Sequence, residues 1–400
     1  MKLLYFIRDP YPTTRPDVLT LFGQCLAARG IASDVVGTRH GDLANSTLSW
    51  PAGQEFVHHP GAGAVRRHIG GLVHDVRQLR RADTYDAVVV RDKIVTAAAA
   101  LLWPHRRPVF YWASYPFPED DLARAAMPLR GRAYRLALRA RAALTRWLLY
   151  RVVVPRASAV FVQSDRMREV FAQQSGRVTG LFAVPMGVDP RALPPVDPVP
   201  TPYREGQPFR LVYLGSMDRA RQVEFLIDTL IRLRHRDPST VYRLTLVGDA
   251  STKAEFDWLA ERAAGSGLGD LIDMPGMLPR EQAWAIARQC QLGLSAIPRG
   301  PVYDVSSPTK TIEYLALGLP VLVNDIPDQL ALVTQTGAGL CAPMDPDAFA
   351  DAVVSIRRNH RELAQRAVAA RTWLLAHRGY DLLAAGVAAA LLAPLDQPPN

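Results

Sequence analysis

Cysteine is scarce in this chain. Cys25, Cys290 and Cys341 lie far apart with no CxxC pair, which excludes a zinc ribbon and a disulfide framework and suits a reduced, cytosolic compartment. Long apolar runs are missing too. The longest, Leu382 to Leu395, is alanine-rich and shorter than the about 18 residues that a membrane span needs. The start, Met1 to Asp9, holds too short an apolar run for a signal peptide, so a soluble protein is expected. No D-x-D pair is placed to hold a metal, since Asp120-Asp121 lacks the spacing. The nine histidines, His58-His59 included, show no metal-ligand spacing, and no metal is expected.

Acid is absent from one stretch. Between Leu122 and Arg156 there are nine arginines and no Asp, Glu or Lys. The rest of the chain is balanced, 38 basic against 38 acidic side chains. A nucleic-acid-binding protein spreads basic residues over a groove-facing surface, so nucleic acid is not expected as a partner. At helical spacing, Leu129, Ala133, Leu136, Ala140, Ala143, Leu144, Trp147 and Leu148 share one apolar face. Arg132, Arg135, Arg139 and Arg146 form the adjoining flank. Two readings stand side by side. One is a surface helix packing on the first domain with solvated arginines. The other is a basic amphipathic helix, Trp147 included, facing an anionic cytoplasmic leaflet as a peripheral anchor.

What is present is ordinary globular material: 400 residues, 48% hydrophobic and 21% charged, which excludes wholesale disorder and fibrous structure. Single cores stop growing near about 250–300 residues, so two domains are expected. Apolar runs of strand length at Leu3–Ile7, Ala87–Val90, Val109–Trp112 and Ala159–Val162 alternate with helical segments such as Val18–Arg29. Seven prolines between Pro190 and Pro208 interrupt this rhythm and read as a linker. It then restarts with strands Arg210–Leu214, Tyr242–Val247, Leu292–Ala296 and Pro320–Val323. Helices Val223–Arg234, Lys253–Ala264, Thr309–Leu317 and Pro346–Arg357 lie between and after them. The expected fold class is α/β. An N-terminal Rossmann-like domain is expected over 1–189, with the linker over 190–208. A C-terminal Rossmann-like domain is expected over 209–376, with a helix and tail over 377–400 packing back towards the N-terminal domain. Ligands in such folds sit at the carboxyl ends of strands, where loops lead into helix N-termini.

The segment Ser306 to Val321 is the most informative. Ser307 is a good N-cap, Pro308 suits the first helical position and Gly318 suits the C-terminal cap. Free N–H groups at the amino end favour an anion. Lys310 adds a cation one turn in, and Glu313 follows on the same face.

This segment resembles the retaining glycosyltransferases of family 4, the group 1 transferases, whose pattern is usually E-G-F-P-x-x-x-x-E-A-M-A-x-G-x-P-V. Pro308, Glu313, Ala316, Gly318, Pro320 and Val321 match it. The first glutamate falls at Val305, with Asp304 one residue away and Ser306-Ser307 replacing Gly-Phe. Tyr213 to Gln222 is similar to the family's G-R-x-x-x-x-K-G, with Gly215 at the glycine, Ser216 at the arginine, Arg221 at the lysine and Arg219 as a compensating charge. Val247-Gly248-Asp249, Met274 to Pro279, Val162 to Asp165 and Val184 to Asp189 continue the likeness, which covers about Ala159 to Val354.

The resemblance implies the GT-B fold, two Rossmann-like doubly wound domains facing a central cleft. It also implies a nucleotide-diphosphate sugar as donor substrate, with no cofactor. Glu313 inherits the ribose hydroxyls, and Arg221 and Lys310 meet the diphosphate as the catalytic cations. Gly215, Ser216, Arg219, Gly248, Asp304, Ser306, Ser307 and Pro308 line the donor. It further implies that the N-terminal domain binds the acceptor and the C-terminal domain the nucleotide sugar, the acceptor being a glycan or a lipid-linked sugar, as in bacterial surface polysaccharide or glycolipid synthesis. On the acceptor side the family's Gly-Gly loop and histidine are replaced, and strand-end position suggests Asp9, Arg15, Ser114 and Glu119. The alternatives are a non-catalytic donor-binding or partner subunit and a nucleotide-sugar epimerase.

Overall fold

The computed structural model describes residues 1–13, 15–39, 49–60, 64–126, 131–195 and 203–395. Leu129, the linker prolines Pro198, Pro200 and Pro202, and the last five residues of the tail lie outside them. The chain divides into two compact units. Unit 1 comprises Met1–Asp189 and Tyr380–Asn400, and unit 2 comprises Pro190–Gly379.

Unit 1 holds strands β1 (Lys2–Tyr11), β2 (Ala32–Arg39), β3 (Glu55–His58), β4 (Ala87–Arg91), β5 (Val109–Ala113), β6 (Ala159–Val162) and β7 (Leu181–Ala183). They form one parallel sheet in the order β3-β2-β1-β4-β5-β6-β7. The apolar runs of β4, β5 and β6 are buried along their whole length, as parallel strands covered on both faces require. The helices are α1 (Pro16–Leu19), α2 (Ala64–Leu79), α3 (Ile94–Leu102), α4 (Phe117–Ala126), α5 (Arg132–Trp147), α6 (Val154–Arg156) and α7 (Asp165–Ser175). The helix expected over Val18–Arg29 is broken into α1, a π-type segment Leu21–Leu26 and a 3-10 turn Ala27–Arg29. The expected loop after Ile7 is still strand. β1 bulges between Phe6 and Pro10 and resumes pairing so that Tyr11 enters the core, which places Asp9 inside β1.

Unit 2 holds β8 (Phe209–Leu214), β9 (Tyr242–Val247), β10 (Ile272–Gly276), β11 (Leu292–Ser295), β12 (Val321–Val323) and β13 (Gly339–Cys341). Its parallel sheet runs β10-β9-β8-β11-β12-β13, the 3-2-1-4-5-6 order of doubly wound sheets. The helices are α8 (Glu224–Arg236), α9 (Lys253–Ala264), α10 (Arg280–Arg288), α11 (Thr309–Ala316), α12 (Pro327–Thr336), α13 (Pro346–Arg358) and α14 (His360–Arg378). Pro190–Ala192, expected as part of a linker without helix, forms a 3-10 turn.

After Gly379 the chain returns to unit 1 as α15 (Tyr380–Leu392). Tyr380, Ala384, Val387 and Leu391 enter the unit 1 core, and the Tyr380 amide donates to the Val188 carbonyl at 3.0 Å. Among the described residues no helix is long and apolar enough to cross a membrane.

Candidate functional site

In unit 2 the strand order reverses between β8 and β11. Such a switch point splays the two following loops apart and leaves a crevice at the strands' carboxyl ends. The loop after β8 carries Gly215 to Gln222, and the loop after β11 leads into α11. Tyr314 fixes α11 there. Its ring is wholly buried, and its hydroxyl accepts the Leu214 amide at 2.7 Å and lies 3.4 Å from the Leu294 carbonyl, so it bridges both strands. A Cβ on Gly293 would meet that ring at 2.4 Å, which leaves glycine as the residue that admits it.

The backbone closes tightly around this point. Gly215 and Gly248 have φ of +148° and +145°, a region L side chains rarely adopt. A Cβ on Gly248 would lie 1.9 Å from the Gly215 carbonyl oxygen, and one on Gly215 would lie 2.9 Å from Lys310 Nζ. Gly248→Ala is therefore expected to strain the loop by about 1–3 kcal/mol. If that strain opposes the bound conformation, it should also weaken nucleotide binding by about 5- to 150-fold. A thermal melt and a calorimetric titration check both effects.

Lys310 Nζ stands 4.9 Å from the ring centre of Tyr213, beside Arg221, and the Arg221 guanidinium rests 4.7 Å over the ring of Tyr303. Burial pushes Lys310 down to about 7, and the neighbouring Arg221 adds to this against a smaller opposing pull from Glu313. Burial pushes Glu313 up to about 7, with Lys310 and Arg280 pulling the other way. An ammonium and a carboxyl are held where water solvates them poorly, with a second cation, Arg221, beside them. Such a site gains from an anion beside the cations and from hydroxyl donors beside the carboxyl.

Other candidate residues are placed differently. Ser307 is not the N-cap of α11: Pro308 occupies that position, and the Ser307 hydroxyl donates instead to Asp328 at 2.6 Å. Asp328 also accepts from Arg378, at the end of α14, at 2.8 Å. At the other end, Leu317 is the cap and Gly318 follows it with φ +75°. The Gly318 and Leu319 amides close back on the Leu315 and Tyr314 carbonyls. Asp304 binds Arg299 at 2.7 Å and the Gly300 amide at 3.0 Å, folding its loop on itself, while Val305 is buried. Ser306 donates to the Tyr303 carbonyl and Ser216 pairs with Asp218. Arg219 stacks 4.2 Å over Trp258.

Sequence reasoning missed the polar frame beneath the site. Buried Asn324 holds both the amide and the carbonyl of Ile297, in the loop after β11, at 2.9 and 2.7 Å. Gln329 binds Ser295, Thr311 and Asn324, tying α11 to α12. Neither residue carries a local signal, because their partners are distant in the chain.

In unit 1 the switch point lies between β1 and β4. Arg91, fully buried, donates to Asp9 at 2.8 Å and to Asp17 at 2.7 Å, and Arg15 joins Asp17 at 3.1 Å. Asp92, at φ +58°, accepts the Ser114 amide at 2.8 Å and also the Ser114 hydroxyl. Asp9, Arg15 and Ser114 thus join one polar network around buried Arg91 and Asp92, with Arg15 at its exposed end, and the sequence reading did not single out Arg91 or Asp92. Glu119 lies in the first turn of α4, not in a loop, 3.5 Å from the Tyr150 hydroxyl, and burial raises its carboxyl above the usual range.

Residues 208–359 match the family model for glycosyl transferases group 1. That region contains the whole cation site. The fold is GT-B: two Rossmann-like domains with parallel sheets of seven and six strands. Solved structures share it along nearly the full length. HepE of Anabaena in complex with UDP is 18% identical, with 98% of this chain and 100% of that chain covered and a TM-score of 0.68. Sucrose-phosphate synthase from Thermosynechococcus elongatus is 17% identical, with 98% of each chain covered and a TM-score of 0.73. A glycosyltransferase from Rickettsia africae is 13% identical, with 99% of each chain covered and a TM-score of 0.71. No curated protein matches the chain.

Proposed function

We propose that this protein is a retaining, metal-independent glycosyltransferase of the family 4 type. It moves a sugar from a nucleotide-diphosphate sugar to a glycan or lipid-linked acceptor in surface polysaccharide or glycolipid synthesis. The observation that carries this reading is the placing of Lys310 and Arg221 beside Gly215 at the β8/β11 switch point. The likeness to HepE, solved in complex with UDP and with UDP-glucose, supports a nucleotide sugar as the donor.

The chemistry follows from charge. As the glycosidic bond to the diphosphate lengthens, negative charge grows on the leaving oxygen and positive charge on the sugar. Two fixed cations stabilise the leaving group without reorganising at the moment of reaction, a contribution of about 10²–10³ in rate for each donor removed from such a site. The same two charges neutralise the diphosphate, which is the part a metal would otherwise take. Glu313 accepts from the ribose hydroxyls. Gly215 and Gly248 let the backbone approach the phosphates, with Ser216, Arg219, Ser306, Ser307 and Pro308 around them, while Asp304 shapes the loop. Asp9, Arg15, Ser114 and Glu119 serve the acceptor, and a lipid-linked acceptor would be met at the cytoplasmic face of the inner membrane. A donor-binding subunit without transfer activity is the second reading. It is favoured by Val305, buried where the resembled family has its first glutamate.

pH dependence tests the roles. A diphosphate binds the protonated Lys310, so affinity should fall as pH rises above about 7. Ribose hydroxyls bind the ionised Glu313, so affinity should also fall as pH drops below about 7. Calorimetry with UDP should therefore give a maximum near neutrality. Uridine, lacking the diphosphate, should lose affinity on the acid side alone. Parallel profiles for the two ligands would remove Lys310 from the diphosphate. Retention is checked by the anomeric configuration of the first-formed product in proton NMR.

A further inference from the structure

Helix α5 has two apolar sides, and one of them is covered. Leu138 and Ala142 are buried, with α5 packed on α4. On the apolar face read from the sequence, Ala133, Leu136, Ala140, Ala143, Leu144 and Trp147 are exposed and Leu148 is partly buried, so the reading in which this face packs on the first domain does not hold. Leu136 is 69% exposed, and Leu144 and Trp147 are each 57% exposed. At 3.6 residues per turn these residues form a stripe about 120° wide, opposite the buried pair. Arg132, Arg139, Arg146 and Arg135 follow one another along one edge of it. Arg141, on the other edge, pairs with Asp121, and Arg146 binds Gln174. No described acid pairs with Arg132, Arg135 or Arg139.

We propose that this exposed stripe and its arginine flank dock the protein on an anionic lipid bilayer, with α5 lying in the plane of the interface. Leaving large apolar side chains in water beside unpaired arginines serves neither solubility nor folding. A bilayer satisfies both groups. Leu136, Leu144 and Trp147 enter the boundary between headgroups and acyl chains, and the arginines meet lipid phosphates. A two-fold pair of identical chains meeting on this stripe would set arginine flanks close together with no acid between them. A nucleic acid would find leucine, alanine and tryptophan where its phosphates need donors. This surface lies on a different unit from the donor site, and its binding is read without nucleotide, so docking and sugar transfer can each fail alone.

The test is sedimentation of the full-length protein with vesicles of phosphatidylcholine, with and without phosphatidylglycerol. Binding is expected only with phosphatidylglycerol. It should weaken about fivefold for each of Arg132, Arg135 and Arg139 changed to Gln, and weaken further at high salt. Leu144→Asp should abolish it with an unchanged melting curve, because that side chain is exposed. As a check that needs no disruptive variant, anionic vesicles should shift tryptophan fluorescence to the blue, and Trp147→Phe should remove the shift. Negligible or equal binding to both vesicles would overturn the proposal. So would retained binding in Leu144→Asp, or a dimer in solution that Leu144→Asp dissociates.

Discussion

Replacing Lys310 by Met is expected to lower sugar transfer about 10²–10³-fold and, in the same protein, to raise the melting temperature by a few degrees. The two effects have one cause. Lys310 is held near pH 7 because its ammonium is poorly solvated beside Arg221. Without donor, that burial costs stability. The unfolded chain binds the lysine proton up to its ordinary range near 10.5, the folded chain only to about 7, so this cost shrinks as pH rises through that window. Methionine has a similar length and no charge. It removes the cost, and with it the cation we propose for the leaving diphosphate. Arg221→Ala should match the loss of rate with a smaller gain in stability, because burial, the larger cause of the Lys310 cost, remains. A Lys310→Met protein that turns over normally would remove this residue from the reaction. One with lost activity and a lowered melting temperature would mean that Lys310 supports the fold instead.

The second large effect is expected in unit 1. Arg91→Ala should destabilise unit 1 by about 3–5 kcal/mol, since it leaves Asp9 and Asp17 without their buried partner. Denaturation followed through the buried Trp50 and Trp112 would read this. Adding Asp17→Asn to Arg91→Met should recover part of the loss, because the orphaned charge is gone. The pH dependence has a definite sign. Burial alone would raise Asp17, but Arg91 and Arg15 outweigh it and hold the carboxyl down to about 2. Its contribution to stability is therefore present above its ordinary value near 3.8 and lost as pH falls through about 2. An Arg91→Ala protein as stable as the parent would show that the network is not needed for folding.

The central strands were legible because a strand covered on both faces must be apolar throughout, and Ala87–Val90, Val109–Trp112 and Ala159–Val162 are. The edges were not. β3, β7 and β13 are three or four residues long and only partly buried, so they lack the run that announces a strand. β2 was hidden by a different effect. Asp34 sits buried in its middle and is satisfied by Tyr85, the Gln54 amide and Lys2, none of them nearby in the chain. At the β8/β11 switch point, Gly215, Gly248, Arg221 and Lys310 could be singled out because tight turns and phosphate chemistry restrict residue type locally. Ser307 shows the limit. It has the chemistry of an N-cap, but Asp328 offers a charged acceptor across the fold, and the charge-assisted bond wins. Tyr314, Asn324, Gln329 and Arg91 were illegible for the same reason, since each is defined by partners brought in from other strands.

We propose that the β8/β11 switch point takes a nucleotide sugar and releases the nucleoside diphosphate. The most direct measurement is diphosphate release from a panel of UDP-, GDP- and dTDP-sugars by the parent protein and by Glu313→Ala and Arg221→Ala. Release with at least one donor is predicted for the parent. Loss of about two orders of magnitude or more is predicted for Arg221→Ala, and a raised donor requirement for Glu313→Ala, with both variants folded. No release from any donor, or parent-like turnover in both variants, would contradict it.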